Sequence, residues 1–136
     1  MNYTAYLAGP MRDYFNFNFE AFENAAATLR AQGWKIVSPH EFDLDTGRVQ
    51  AEYYTFGGVR KFVSVELSPT FDFEDTMGED LRLIEEQCNA LVLLPGWGNS
   101  EGANLELQHA LKLGYPIFLY ADGIITEMPV PDFGVI

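Results

Sequence analysis

Residues 91–107 have the sequence LVLLPGWGNSEGANLEL. The apolar run from Leu91 to Leu94 predicts a buried strand, and the Gly, Asn and Ser residues after it predict a tight turn that leads into a helix. In open α/β sheets, ligands bind outside the carboxyl ends of the strands, where such turns lie. The first turn of a helix has unpaired backbone N–H groups, so the segment from Ser100 to Ala103 predicts a site for an anion such as a phosphate.

A carboxylate follows in the second turn of the same helix. Glu106 lies four residues after Gly102, so the two share a helix face, and Gly102 has no side chain to separate the carboxylate from a ligand in the turn. The helix dipole favours an ionised carboxylate near the N-terminus, and a nucleophile must be ionised. We therefore interpret Glu106 as a nucleophile rather than an acid. The alternative is that Glu101 and Glu106 are solvated charges on an amphipathic helix.

Composition limits the class of protein. The 136 residues are 48% hydrophobic and 15% aromatic, which predicts one folded domain over residues 1–136 and not a disordered chain. Twenty acidic residues against eight basic ones give a net charge of -12, which disfavours a nucleic-acid duplex or an anionic membrane surface as partner. A small anionic ligand needs only a local group of donors. The single cysteine and the lack of an apolar span or signal-peptide pattern predict a cytoplasmic protein.

Strands and helices alternate along much of the chain. Tyr3 to Ala8 predicts the first strand, and residues 34–39 predict the second. Between them, apolar residues at helical spacing predict a helix that Asn16 or Asn18 caps and Gly33 ends. This βαβ beginning predicts an α/β protein with a parallel sheet.

Residues 40–75 do not fit this alternation. Their periodicity is poor, and they mix aromatic residues, glycines and acids. A segment of this length without a clear element usually belongs to a lid or a binding loop. Within it, residues 59–67 (VRKFVSVEL) predict a strand or a short hairpin arm. We therefore predict an irregular insertion at about residues 40–75.

The sequence predicts no metal site and no cofactor. Asp43, Asp45 and Gly47 are similar to the start of a calcium loop, but the glycine comes one place early and the bidentate glutamate is missing. His40 and His109 have no matching ligand set nearby in the sequence. Both are therefore interpreted as packing or surface histidines.

Two further charged residues are candidates for a site. Arg12 lies in the loop after the first strand, where it can clamp a phosphate while Tyr14 or Phe15 stacks on a ring. The alternative is an ordinary surface base. The sequence of residues 76–79 fits a capping box, which places Asp80 in the first turn of a helix, beside its buried stripe. The alternative for Asp80 is a carboxylate that only complements the helix dipole.

Three blocks of sequence carry a resemblance to a known family. They are YLAGPMR at residues 6–12, Asp80-Leu81 with Cys88-Asn89-Ala90, and SEGANLE at residues 100–106. In this order and spacing they resemble the nucleoside 2-deoxyribosyltransferase superfamily, which includes the deoxynucleoside 5'-monophosphate N-glycosidases. The chain looks most similar to a bacterial and phage branch with a YLAGPM signature.

The resemblance implies a fold, a reaction and roles for named residues. The implied fold is a flavodoxin-like or Rossmann-like three-layer sandwich with a parallel sheet of four to five strands. The implied reaction cleaves an N-glycosidic bond through a covalent ribosyl-enzyme intermediate. Glu106 would be the nucleophile, Asp80 would hold the sugar or protonate the departing base, and Tyr6 would orient Glu106. The residues that would surround the 5' end of the nucleotide are Gly9, Arg12 and Ser100, next to Gly102 in the turn.

The chain departs from the family pattern at two positions. Many relatives that are specific for a phosphate have a small hydroxyl residue where Pro10 stands, so one expected donor is absent. Relatives in this branch often have an acid where Asn89 stands.

The sequence leaves three functions open. The leading hypothesis is a hydrolase that releases the base from a (deoxy)nucleoside 5'-monophosphate through a covalent Glu106-ribosyl intermediate. A deoxyribosyltransferase, which uses a second base as acceptor, is the first alternative. A nucleotide-binding or sensor module without catalysis is the second. We also predict a homodimer or higher homo-oligomer, with the aromatic segment 53–73 and the apolar C-terminus as contact surfaces.

Overall fold

A five-stranded sheet forms the centre of the computed structural model, which describes residues 3–129. The strands are β1 (Thr4–Ala8), β2 (Lys35–Val37), β3 (Val49–Phe56), β4 (Val59–Leu67), β5 (Ala90–Leu93), β6 (Ile117–Ala121) and β7 (Ile124–Met128). The helices are α1 (Phe19–Ala31), α2 (Pro39–Asp45), α3 (Phe73–Gln87) and α4 (Glu101–Lys112). The central sheet has the order β2-β1-β5-β6-β7, and β2, β1, β5 and β6 are parallel.

The alternation of β1 divides the molecule into three layers. Ala5 and Leu7 pack with apolar residues of α1 on one face of the sheet. Tyr6 and Ala8 point to the other face, where they pack against α3 and α4. Both faces of β1 are therefore covered, as a parallel sheet requires. The predicted α/β three-layer sandwich is confirmed.

The last strand differs from the parallel prediction. β7 runs antiparallel to β6, and the two-residue loop between them is Asp122-Gly123, with φ angles of 51° and 80°. Two positive φ angles define a type I′ hairpin turn, for which Asp-Gly is a preferred sequence. The predicted contact surface at the C-terminus falls mainly on residues 130–136, outside the described residues.

The prediction of an irregular insertion at residues 40–75 is wrong. Helix α2 begins directly after β2 with Pro39 in its first turn, and β3 and β4 form an antiparallel hairpin with Gly57-Gly58 at its tip. The strand suggested by residues 59–67 is confirmed as β4. The alternation of β3 is weak because most of this strand is exposed, so apolar residues occur on both of its faces.

This hairpin, which we call the arm, is anchored to α1 by a buried carboxylate. Arg60 of β4 donates to both carboxylate oxygens of Glu23 from its backbone and side chain, at 2.9–3.2 Å. His40 contacts Glu23 at 2.9 Å, and despite burial the hydrogen bonds from Arg60 and His40 lower the pKa of Glu23 to about 2. Tyr54 and Phe56, in the outer part of the arm, are exposed. They belong to the segment 53–73 that the sequence analysis names as a contact surface, and the homo-oligomer stays a prediction.

Two helix starts differ from the prediction. Helix α3 begins at Phe73, not at the capping box of residues 76–79, because the Asp72 side chain accepts the N–H groups of Glu74 and Asp75. Asp80 therefore lies in the second turn of α3. Asn18 precedes α1 without capping it, and its side chain donates to the Pro10 carbonyl instead. No helix among residues 3–129 has the length and apolar character to cross a membrane.

Candidate active site

A cavity of about 810 Å³ opens at the carboxyl end of β1. Three groups of residues line it: the loop after β1 from Gly9 to Tyr14, the start of α4 from Asn99 to Glu106, and parts of α2, α3 and the arm. The volume is within the range typical of pockets for small ligands, roughly 300–1,000 Å³. Asp80, Glu106, Gly9, Arg12, Ser100 and Gly102, all named as candidates from the sequence, border this one cavity.

Glu106, which borders the cavity, forms a buried pair with Tyr6, which does not border it. The Tyr6 hydroxyl donates to Oε2 of Glu106 at 2.6 Å, across 100 positions of the chain. Tyr6 is fully buried because it lies on the face of β1 that α3 and α4 cover, and Glu106 is 5% exposed. The hydrogen bond fixes the carboxylate and favours its ionised form.

The pKa of Glu106 is shifted in the direction opposite to the one expected from the helix dipole. Burial, followed by the charge of Asp80, raises the pKa of Glu106 well above its ordinary value. The helix dipole acts mainly within the first turn, and Glu106 lies in the second turn in a nearly dry environment. The hydrogen bond from Tyr6 opposes this rise. At Glu106 the effect of burial therefore outweighs that of the helix dipole.

Asp80 is the second buried carboxyl group of the site. It is 6% exposed, and its Oδ1 atom has no hydrogen-bond partner within residues 3–129. Arg48 lies 4.0 Å from this oxygen. Burial, followed by the charge of Asp43, raises the pKa of Asp80 to about 7. A buried carboxyl oxygen without a partner is costly, and a ligand that donates a hydrogen bond, or a bound proton, removes that cost.

Asp43 and Arg48 also belong to the site, and the sequence interpretation missed both. Asp43 borders the cavity from α2, is 4% exposed, and accepts a hydrogen bond from Arg48 at 3.1 Å. Arg48 also bonds to Glu79 and lies over the ring of Phe42. The available signal was the position of Asp43 shortly after the end of β2, at the same sheet edge as the other candidates.

The turn before α4 is held by its own side chains and leaves backbone N–H groups at the start of the helix without an acceptor. The Ser100 side chain accepts the N–H of Ala103 at 3.1 Å and so caps the helix. The Asn104 side chain donates to the Ser100 carbonyl at 2.8 Å and holds the turn. The N–H groups of Glu101 and Gly102 have no acceptor among the described residues. They are free to donate to a ligand.

Close packing explains one of the two glycines in the site. A Cβ atom on Gly9 would lie 2.9 Å from the Cβ of Leu94, so only glycine lets the loop after β1 approach β5. A Cβ atom on Gly102 would lie 3.2 Å from the end of Met77, a flexible side chain. Gly9 therefore has a structural role in shaping the cavity wall, whereas Gly102 keeps the mouth of the cavity open.

Arg12 and Phe17 border the cavity from the loop after β1. The Arg12 guanidinium lies 4.0 Å from the ring centroid of Phe73 and makes no salt bridge within residues 3–129, so its charge is available to a ligand. Phe17 has a φ of 53°, between Asn16 and Asn18, whose φ angles are also positive. A left-handed conformation is strained for phenylalanine, and such strain is concentrated at functional sites.

The remaining candidates lie outside the cavity. Asn89 accepts the Thr4 N–H at 2.8 Å, at the amino ends of β5 and β1 and so at the opposite edge of the sheet. His40 is fully buried, between Ser38 and Glu23, and His109 lies 3.5 Å from Glu85. His40, Glu23 and Glu41 lie close enough together to suit a metal ion. Arg60 and Arg30 already bind these carboxylates, so the group is an ion-pair network.

The comparisons with known proteins give a family without an assigned activity. No match was found among curated proteins. One family model, described as "Domain of unknown function (DUF4406)", matches residues 3–119. The match includes β1, α3, α4 and every residue that borders the cavity. Because it extends over most of the 136 residues, the chain belongs to the DUF4406 family.

Proposed function

We propose that this protein hydrolyses the N-glycosidic bond of a (deoxy)nucleoside 5'-monophosphate. One observation carries the proposal: Asp80 and Glu106, from separate helices, border the same cavity, and Tyr6 holds Glu106 by a hydrogen bond. The resemblance of the three sequence blocks to the nucleoside 2-deoxyribosyltransferase superfamily supports the same function. Two converging carboxyl groups are also what enzymes that cleave glycosidic bonds with retention use.

The cavity offers a separate place for each part of the nucleotide. The start of α4, with the free N–H groups of Glu101 and Gly102, suits the 5'-phosphate, and Arg12 adds a positive charge from the opposite loop. The sugar then lies between Asp80 and Glu106. The base extends into the remaining part of the cavity, which the arm and α2 border.

The proposed reaction has two balanced steps. The Glu106 carboxylate attacks the anomeric carbon, the C–N bond breaks, and the bonding electron pair leaves with the base, which takes a proton from Asp80. Water then attacks the same carbon, gives a proton to the Asp80 carboxylate and releases Glu106. The products are the free base and a sugar 5-phosphate. The role of the protein is to hold both carboxyl groups on one sugar carbon.

Burial and charge repulsion keep a proton on one of the two carboxyl groups, and the departing base takes this proton. Two neighbouring buried carboxyl groups are not both ionised at neutral pH, because their negative charges would repel each other. Tyr6 donates to Glu106 and favours its charged form, and a hydrogen bond from Tyr6 also lowers the pKa of Asp80, although Oδ1 of Asp80 has no donor. In the proposed reaction Asp80, whose pKa is raised to about 7, holds the proton, and Glu106 carries the charge.

Base release is the experiment that tests the function. The full chain is incubated with dCMP, dGMP, dUMP and the matching nucleosides, with and without a second base, and the products are separated by chromatography. Release of the base and of a sugar 5-phosphate supports the hydrolase. A new nucleoside that forms only with the second base supports the transferase. Intact nucleotides under all conditions contradict both.

Ser100→Asp tests the position of the phosphate. Asp caps a helix as well as Ser does, so we expect the free energy of unfolding to change by less than about 0.5 kcal/mol. The added negative charge lies where the phosphate binds, so the kcat/KM for a 5'-monophosphate falls by about 10- to 100-fold and that for the nucleoside does not.

Ser100→Ala is the matched control for this substitution. It removes the hydrogen bond to Ala103, which lowers the free energy of unfolding by about 1 kcal/mol. It adds no negative charge beside the backbone N–H groups. Both substrates are therefore expected to lose equally little activity. An equal loss of monophosphate and nucleoside activity in Ser100→Asp would place the phosphate elsewhere.

One observation favours a sensor instead. Burial raises the pKa of Glu106 well above its ordinary value and so disfavours the carboxylate form that nucleophilic attack requires. Tight binding of an intact nucleotide with no product after long incubation is the result that the sensor predicts.

A further inference from the structure

One end of the cavity contains a buried carboxylate that the proposed reaction does not use. β1 lies between β2 and β5 in the sheet. Helix α2, with Asp43, follows β2, whereas the start of α4, with Ser100, follows β5. Asp43 and the anion-binding turn therefore lie on opposite sides of the end of β1, and both border the cavity.

The surroundings of Asp43 suit a flat aromatic ring. Val49 and Leu67 from the arm and Phe71 from the segment after it border the cavity, and they pack in one apolar cluster. Apolar walls with a few polar groups are typical of pockets for small ligands, and they suit a planar ring that the polar groups orient. In this part of the cavity, Asp43 is the buried carboxyl group, at 4% exposure.

The orientation of Asp43 is fixed. Arg48 donates to its Oδ1 atom at 3.1 Å, and Arg48 is itself held by Glu79 and by the ring of Phe42. Oδ2 of Asp43 accepts no hydrogen bond within the described part of the chain. Burial, opposed by the bond from Arg48, raises the pKa of Asp43 to about 6, so the group is an ionised acceptor above that pH.

We propose that Asp43 selects the base of the substrate by accepting an N–H of its exocyclic amino group, so that amino-bearing bases such as cytosine bind in preference to uracil or thymine. The inference rests on the proposed function for the positions of the phosphate and the sugar. A carboxylate accepts from the cytosine amino group, as in readout of cytosine by Asp or Glu. In uracil the same position carries a carbonyl oxygen, which repels the carboxylate and leaves it unpaired.

The test compares dCMP with dUMP, which differ in the base edge that Asp43 would contact. For the wild-type protein we expect kcat/KM to be about 5- to 100-fold higher for dCMP, the range of one good side-chain contact to a base. In Asp43→Asn the side-chain amide can also donate to the uracil oxygen, so the ratio falls to within about 3-fold of one. A purely structural role of Asp43 lowers both activities and leaves the ratio unchanged.

Asp45→Asn is the matched control, because Asp45 lies on the same helix and is exposed. It is expected to keep the wild-type ratio. If the wild-type protein cleaves dCMP and dUMP equally, or if Asp43→Asn keeps the ratio, the base selection is wrong while the hydrolase stands. A wild-type ratio near one overturns the inference even if Asp43→Asn does not fold.

Measuring the affinity for dCMP and dUMP tests the base selection separately from the proposed hydrolysis. If no nucleotide is cleaved, the hydrolase is wrong, and calorimetric titration of the same proteins with dCMP and dUMP decides the role of Asp43. Tighter binding of dCMP that disappears in Asp43→Asn supports base selection. Equal binding of both nucleotides, or binding of neither, overturns it.

Discussion

Glu106→Gln is expected to lower the rate of base release by roughly 10⁴-fold or more, because an amide neither attacks the anomeric carbon nor leaves it in the second step. Gln has nearly the same shape as Glu, and its side-chain oxygen can still accept the Tyr6 hydroxyl. The fold should therefore persist, and the substitution also removes a buried acid that repels Asp80. Chromatography of the products measures the rate, and the melting temperature reports the fold.

Glu86→Gln is the control for this substitution. Glu86 is exposed on α3, and the same chemical change there should leave the rate unaltered. A Glu106→Gln protein that keeps more than a tenth of the wild-type rate would remove Glu106 from the reaction. A wild-type protein trapped with its substrate by rapid acid quenching should carry a sugar phosphate on Glu106, which mass spectrometry of peptides detects.

Asp80→Asn is expected to reduce base release by about 10²- to 10⁴-fold and, above neutral pH, to make the protein more stable. Burial raises the pKa of Asp80 to about 7 in the folded protein, above its ordinary value of 3.8. The favourable contribution of the protonated group is therefore complete below about pH 4 and is lost as the pH rises through 7. Asn does not ionise, so the variant avoids this loss.

The size and sign of the effect are measurable as a difference between two pH profiles. At pH 8 we expect Asp80→Asn to exceed the wild-type protein by about 1–3 kcal/mol in free energy of unfolding, and at pH 4 the two should nearly coincide. Melting temperatures across this range measure the difference. Asp45→Asn, at an exposed position, should follow the wild-type profile. If the stability gained by Asp80→Asn over the wild type is smaller at pH 8 than at pH 4, burial does not raise the pKa of Asp80.

The sequence predicted most of the sheet and the two central carboxyl groups for a physical reason. Buried parallel strands such as β1 and β5 are short apolar runs, and the residues that follow them gather at one sheet edge. Asp80 and Glu106 lie on the helices before and after β5, so their convergence on one cavity is expected from local order along the chain.

Asp43 and the ionisation of Glu106 were not predictable in the same way. Helix α2 has only seven residues, and its distance from the rest of the site depends on β2 pairing with β1, which is a contact between distant parts of the chain. The pKa of Glu106 depends on how completely Tyr6, α3 and α4 exclude water from it. A helix position indicates a dipole, but burial is a property of the assembled layers.

The first strand of the arm, β3, was not predicted from the sequence, for a different reason. β3 is mostly exposed, so neither strict alternation nor a continuous apolar run marks it. Residues 59–67 indicated the second strand, and the Gly57-Gly58 pair before them, where both φ angles are positive, was a local signal of the hairpin turn.

The three buried carboxyl groups of the cavity link ligand binding to proton exchange with the solvent. Asp43, Asp80 and Glu106 all have raised pKa values, so part of the group carries protons near neutral pH. A nucleotide that donates hydrogen bonds to one carboxylate and brings a phosphate near another alters how many protons the group holds. The heat released on binding then contains the ionisation heat of the buffer, so titrations in phosphate and in Tris at one pH should differ by an amount proportional to the protons exchanged.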